Sequence, residues 1–320
     1  MKPGSYARAG VDIGRGDRFV EFIKGIRSPA VSKGIGGFSG AFEVDPQRYR
    51  HPVFLTTTDG VGTKLLVARS LARMDTVGID LVAMCVNDIL VCGAEPVAFL
   101  DYIACGRVDE ATLEEIMRGI VTGCELAGCS LSGGETAELP DMYAEGEFDL
   151  AGFAVGVVER DNLLPKQRQM REGDLVLGLP SVGIHSNGLS LARKVLPKKE
   201  TTLWAELLKP TKIYAREMTA LAKSGLVLGA AHVTGGGLES NFARILPEGL
   251  VGSFDFSWPV PGIFDQIQRF GRIQDGEMRR VFNMGIGIAF VVAARDLAAV
   301  ERLAVEAEFE ILRIGELARG

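Results

Sequence analysis

Apolar and polar positions along the chain switch between short strand-like runs and longer stretches at helical spacing, which predicts an α/β protein. Residues 52–58 are rich in strand-favouring side chains and run into Asp59-Gly60, so a strand should deliver its last residues into a turn. Asp80 precedes an apolar stretch of helix length, 81–92, with Gly93 as its stop. After Asp109, Leu113, Ile116, Met117, Ile120, Val121 and Cys124 recur at helical spacing before Gly128, which predicts a helix with no chemistry of its own. Residues 130–135 read as a strand entering a tight glycine turn, and 149–158 as a strand leading into a loop over 159–174.

In the second half, a strand is expected at 175–179, and helices at 188–196 and 238–246 should each end at a proline, Pro197 and Pro247. A late strand over 282–293, a helix over 297–306 and a strand near 310–314 complete the pattern. At 320 residues the chain exceeds the usual size of one domain. The polar, aperiodic stretch near 165–172 is the expected boundary, giving domains 1–168 and 169–320.

Composition narrows the classes of function. The 47% hydrophobic and 24% charged content is that of an ordinary globular protein, and a formal net charge of −6 argues against a nucleic-acid partner. The longest apolar runs fall short of the roughly 20 residues that a membrane-spanning helix needs, and residues 1–16 carry no apolar core of a signal segment. Five cysteines without a Cys-x-x-Cys pair suggest neither a disulfide framework nor zinc, so a cytoplasmic chain is expected. The 40 glycines cluster beside polar residues, the pattern expected where backbone must approach a ligand closely.

The densest chemistry lies in Asp59-Gly60-Val61-Gly62-Thr63-Lys64, followed by Asp80 and by Asn87-Asp88 inside an apolar segment. It is not a Walker A loop, which needs lysine directly after the last glycine, because Thr63 intervenes. Carboxylates, a cation and flexible backbone together suit a magnesium-bound polyphosphate, since Mg²⁺ takes one or two carboxylates plus phosphate oxygens and water. A polar turn with a solvated lysine fits the same residues. For Asp80 the bland alternative is a helix N-cap, and for Asp88 an internal salt bridge, because a buried carboxylate needs a partner.

Glu135 and Glu138 follow a glycine pair, a second place where carboxylates and backbone amides could face one ligand, or where a helix simply begins. His185 and His232 sit in glycine turns, His185-Ser-Asn-Gly188 and His232-Val-Thr-Gly-Gly-Gly237, placed for anion contact or acid–base work. His51 precedes a proline and reads as a surface residue. Lys24 and the glycine-dense 33–40 segment could form a lid or a linker.

Taken in order, Tyr6–Ile13, Gly36-Gly-Phe38, Thr58–Lys64, Gly78–Asp88, Gly93–Pro96, Gly133–Glu138, Ala151-Gly-Phe153, His185–Gly188, Pro210–Tyr214, His232–Gly237 and Phe282–Gly285 resemble the phosphoribosylformylglycinamidine cyclo-ligases, or aminoimidazole ribonucleotide synthetases, of the AIR synthase family. The resemblance implies an N-terminal α/β domain whose strands form a barrel across a homodimer, a C-terminal α/β domain, and an active site in the cleft between them. It implies that ATP activates the formyl oxygen of formylglycinamidine ribonucleotide, after which an amidine nitrogen closes the ring. Carried over by motif, Asp59 and Asp88 would hold Mg²⁺, with Glu135 as a further metal candidate. Lys24, Gly36, Gly37, Gly60, Gly62, Thr63, Lys64, Asp80 and Asn87 would attend ATP. Catalysis would fall to His185, Asp88 and Lys64, and substrate binding to Asn187, His232, Thr234, Gly235, Gly236 and Gly237. Ser240 and Ala243 depart from the family pattern, which has Glu and Pro there. Thiamine-monophosphate kinase-like or selenide water dikinase-like activity and a non-catalytic nucleotide-binding scaffold are the alternatives.

Overall fold

The computed structural model describes residues 13–107 and 109–320, so Tyr6 to Asp12 of the first motif lie outside the described residues. The first half contains helix α1 (Ile13–Gly25), strand β1 (Pro52–Gly60), helices α2 (Lys64–Leu71) and α3 (Val77–Leu90), strand β2 (Glu95–Cys105), helix α4 (Glu110–Ala127), and strands β3 (Ser130–Glu138) and β4 (Phe148–Glu159). Its sheet has the order β1-β4-β2-β3, antiparallel except for the β2–β3 pair, which α4 connects.

Helix α3 is apolar nearly all round and is accordingly buried nearly all round. It lies between the sheet and α4. The approach is close enough that a Cβ at Gly78 would overlap the Ile116 carbonyl of α4, so glycine is required there. Helix α4 starts where the sequence predicts, with the Asp109 side chain accepting from the Thr112 amide at 2.8 Å, and stops at Gly128 with φ +70°.

The second half holds β5 (Leu175–Pro180), α5 (Leu189–Val195), α6 (Thr201–Leu207), α7 (Ala215–Ser224), β6 (Val227–His232), α8 (Gly237–Ala243), β7 (Leu250–Phe254), α9 (Gly262–Gly271), α10 (Asp275–Val281), β8 (Ile286–Val292), α11 (Leu297–Glu306) and β9 (Leu312–Arg319). The sheet order is β6-β8-β5-β9-β7, antiparallel throughout. Leu177, Ile288 and Phe290 meet Met218 and Leu221 of α7 and Val300 of α11 on one face; Val176, Ala289 and Val291 meet Leu238 and Phe242 of α8 on the other. Central strands buried on both faces read as continuous apolar runs, which is why β5 and β8 lack alternation.

The halves share their cores. Leu90 and Val91, at the end of α3, pack into the cluster under the second sheet, and Ile184, Leu189, Trp204 and Leu207 pack with the first-half core.

Two expectations are corrected. The glycine pair Gly133-Gly134 is not a turn but lies inside β3, which continues to Glu138. There Gly134 is paired with Asp101 of β2, and a Cβ on it would overlap the Asp101 carboxylate. The strand expected from 282 begins at Ile286, because Phe282–Gly285 turn, with Asn283 Oδ1 accepting from the Gly285 amide at 2.9 Å. Strand β6 is not among the expected elements, because a short apolar run does not separate helix from strand.

Candidate active site

Strand β1 ends at Asp59 and Gly60, and Gly62 (φ +64°) turns the chain into α2. The C-terminal end of α3 brings Asn87 and Asp88 toward the end of β6, where His232 sits. His232 Nδ1 lies 2.9 Å from Asp88 Oδ1, and its Nε2 is 3.5 Å from Asn87 Nδ2. The consistent tautomer has Nδ1–H donating to Asp88 and Nε2 accepting from Asn87. Asn87 Nδ2 also donates to the Lys212 carbonyl at 2.9 Å and Oδ1 accepts from the Tyr214 amide at 3.1 Å. Asn87 is thereby a fully buried link between the halves, not a group open to a nucleotide.

Asp88 remains about half exposed, its side chain at 47%. Asp59, partly buried, has its carboxyl pushed up by burial and by the charge of Asp88, an effect its bond from the Gly60 amide and the nearby His232 partly oppose. The Asp88 charge felt at Asp59 is the kind of repulsion that a divalent cation relieves. Among the described residues no group of three or more His, Cys, Asp or Glu side chains could hold a metal. Mg²⁺ does not need one, since it keeps water and phosphate oxygens in most positions. Asp59 and Asp88 supply the one or two carboxylates that such a site would ask of the chain.

Glu135 does not join that pair. It lines a separate cavity of about 280 Å³ beside α1, with Gly36, Gly37, Gly133, Gly134 and Asp101. In the sheet, Asp59 lies opposite Gly152, Gly152 opposite Asp101, and Asp101 opposite Gly134. Three strand spacings put β3 roughly 14 Å from β1 along that row. Lys24 stands over the same cavity: its Cε lies 3.0 Å from where a Cβ of Gly36 would be, and its ammonium pairs with Glu21 at 2.8 Å.

Sequence reasoning missed Asp101. The available signal was a single carboxylate inside the run Val97-Ala-Phe-Leu-Asp-Tyr-Ile103. Asp101 is 5% exposed, and burial pushes its carboxyl up to about 7, with Glu135 adding to the rise and its own amide opposing it. Between pH 4 and 7 the folded protein then holds a proton that the unfolded chain has released, so this group subtracts stability as pH rises. Asp101→Asn is expected to be more stable than the parent at pH 8, by up to about 4 kcal/mol, and equal to it near pH 4. Urea melts across that range check this; a difference independent of pH would refute it.

Lys64 and Asp80 are both fully buried and paired at 2.8 Å. Lys64 Nζ also donates to the Lys209 carbonyl at 2.7 Å. Burial pulls the ammonium down and Asp80 pulls it back. The family resemblance implied a place for both beside ATP, but their charges face each other inside the protein, so Asp80 is not an N-cap and Lys64 is no solvated lysine. Thr63 Oγ1 instead reaches Ser190 Oγ, 3.1 Å away in the second half.

His185 is 1% exposed and held at φ +57°, in the left-handed region that a histidine rarely adopts. Both ring nitrogens are buried with no hydrogen-bond partner, and so is Nδ2 of Asn187. Burial first, then the charges of His232, Lys64 and Lys212, hold the imidazole well below its ordinary pKa, so it is neutral at physiological pH. Asn187 Oδ1 lies 3.7 Å from where a Cβ of Gly235 would be, which puts the Thr234–Gly237 turn beside it. Asn241 Nδ2 donates to the carbonyls of Thr234, Gly235 and Gly237 at 3.3, 3.1 and 2.8 Å, fixing the turn. Gly236 and Gly237 both have positive φ. His51 is exposed in a loop. All five cysteines are free, and burial pushes the Cys85 thiol up to about 12, leaving it unreactive.

Two family models cover most of the chain: "AIR synthase related protein, N-terminal domain" over residues 46–158 and "AIR synthase related protein, C-terminal domain" over 171–320. The chain belongs to the AIR synthase related protein family. It is 50% identical, over 97% of its length and 92% of the relative's, to a phosphoribosylformylglycinamidine cyclo-ligase from Burkholderia pseudomallei (strain 668). The same identity and coverage of this chain hold for the protein of that name from Paraburkholderia phymatum, of which 91% is covered. Among solved structures, hydrogenase maturation protein HypE in complex with ATP matches with a TM-score of 0.69 at 17% identity, over 99% of this chain and 87% of that one. Thiamine-monophosphate kinase from Stenotrophomonas maltophilia K279a matches with 0.65 at 19%, over 95% and 93%. These structural likenesses concern the fold.

Proposed function

We propose that this protein is a cytoplasmic cyclo-ligase that uses ATP to close formylglycinamidine ribonucleotide to aminoimidazole ribonucleotide, releasing ADP and phosphate, in de novo purine synthesis. The 50% identity to cyclo-ligases over nearly the whole chain carries this reading. The site is compatible with it at the level of individual atoms. The unpartnered His185 nitrogens and Asn187 amide are polar groups that burial penalises until something hydrogen-bonds them. A small substrate rich in amide and amidine groups has the donors and acceptors to do so. Neutral His185 can take a proton from an attacking amidine nitrogen, which an imidazolium could not.

Asp59 and Asp88 would hold Mg²⁺, which when bound neutralises charge on the transferring phosphoryl group. Asp88 is kept in place by His232, so His232 acts at one remove from the nucleotide. Lys24, Gly36 and Gly37 with Glu135 and Asp101 would serve the far end of the same ligand, along the row of sheet that leads from Asp59. Thr234 to Gly237, beside Asn187, would take the ribonucleotide phosphate through backbone amides. Incubating the protein with formylglycinamidine ribonucleotide, ATP and Mg²⁺ should yield the imidazole product, and chelating the metal should stop it. ADP formation on thiamine monophosphate in place of that product would favour the kinase-like alternative.

A homodimer is part of the proposal. The face of the first sheet turned away from α3 and α4 carries Phe54 and Phe153, which are 52% and 45% exposed. Large side chains on a sheet face without a covering layer suit a second copy of the chain. Sedimentation equilibrium should give twice the 34.3 kDa chain mass, and a monomer at micromolar concentration would refute it.

A further inference from the structure

Asp80 Oδ1 is the convergence point of three separated segments. It accepts from Lys64 Nζ at 2.8 Å, from Ser186 Oγ at 3.1 Å, and from the Thr211 amide and hydroxyl at 2.7 Å each. Ser186 Oγ and Thr211 Oγ1 are themselves 3.1 Å apart. Lys64 belongs to the start of α2, directly after the Asp59 turn; Asp80 belongs to α3; Ser186 stands between His185 and Asn187; Thr211 lies in the segment that also carries Lys212 and Tyr214.

We infer that the Lys64–Asp80 pair, acting through Ser186 and Thr211, is a positioning device that sets His185 and Asn187 against the Asp59–Asp88 pair. A buried ion pair gives little net stability compared with apolar residues of the same size, so its presence calls for a geometric role. Here that role is visible. The left-handed backbone at His185 is costly and persists only where its surroundings over-determine it. The His185 ring makes no hydrogen bond of its own, so neighbouring residues must hold it. The adjacent hydroxyl of Ser186 is tied to Asp80 Oδ1, and the same oxygen is tied to Lys64, the first residue of α2. One carboxylate oxygen therefore couples the start of α2, next to the Asp59 turn, to the segment that carries His185 and Asn187. Lys64 and Asp80 touch neither substrate; they act through the loop.

The inference rests on the cyclo-ligase reading for its kinetic test but not for its spectroscopic one. Ser186→Ala and Thr211→Val each remove hydroxyl bonds to Asp80 while leaving both buried charges paired. Each is expected to lower kcat about 10- to 100-fold, as misplacement of a reacting group does, with KM for ATP within about twofold of the parent. Thr211→Ser, which keeps the hydroxyl, should restore kcat. In ¹⁵N-imidazole spectra of the ligand-free protein the His185 signals should move in both variants while those of His51 stay. Should Thr211→Val fail to fold, Ser186→Ala, at a half-buried site, carries the measurement. Unmoved His185 signals would overturn the inference whatever the reaction is. So would a loss confined to KM for ATP, which would return Lys64 and Asp80 to the nucleotide. Absence of product from the unaltered protein, with His185 signals that do move, would instead sink the functional reading alone.

Discussion

Lys64→Met is expected to destabilise the protein by about 3–5 kcal/mol, because it leaves the Asp80 carboxylate buried without its counter-charge. Asp80 would keep its bonds from Ser186 and Thr211, which lessen the penalty without cancelling it. Asp80 Oδ2 already lacks a partner, so no second acceptor arrangement is at hand to absorb the change. The double variant Lys64→Met with Asp80→Asn removes both charges and should recover most of the loss, since replacing a whole buried pair is often near neutral. Urea unfolding of the two single variants and the double one decides it. Additive losses would mean that the two side chains do not depend on each other, contrary to their 2.8 Å contact.

His185→Ala is expected to lower turnover by about 10²- to 10⁴-fold, the usual worth of a positioned general base, while the fold is kept. The imidazole is held neutral, so the parent enzyme should show no loss of kcat from its protonation between pH 7 and 6. The same depressed pKa has a stability consequence. The unfolded chain takes up a proton near pH 6.5 that the folded state refuses, so stability contributed at neutral pH is lost as pH falls below that value. His185→Asn, which cannot titrate, should lose less stability than the parent between pH 7 and 5. A variant retaining more than a tenth of parental turnover would remove His185 from the reaction.

How much of this was readable beforehand depends on the kind of signal. Helix α4 was legible to its caps because Asp109 and Gly128 act locally, through bonds within one turn. The polar residues of α3 were legible as anomalies, since Asp80, Asn87 and Asp88 interrupt an apolar stretch, but their partners were not. Asp80 finds Thr211 131 residues later, Asn87 finds Tyr214 after 127, and Asp88 finds His232 after 144. No spacing within a helix reports such distances. The cavity shared by Glu135 and Asp101 escaped for a related reason. Gly133-Gly134 looks like punctuation when read along the chain and becomes a vacancy for a carboxylate only across the sheet.

The way α3 is embedded constrains how this protein can move. Leu90 and Val91 are rooted beneath the second sheet while the body of the helix is clasped between the first sheet and α4. Swinging one half away from the other would drag apolar side chains into water and break the ties at Asn87 in the same stroke. Wide gaping is thus the least accessible motion, and any gate for nucleotide entry falls to the periphery, where Phe38 stands wholly in solvent at the tip of a glycine-rich loop.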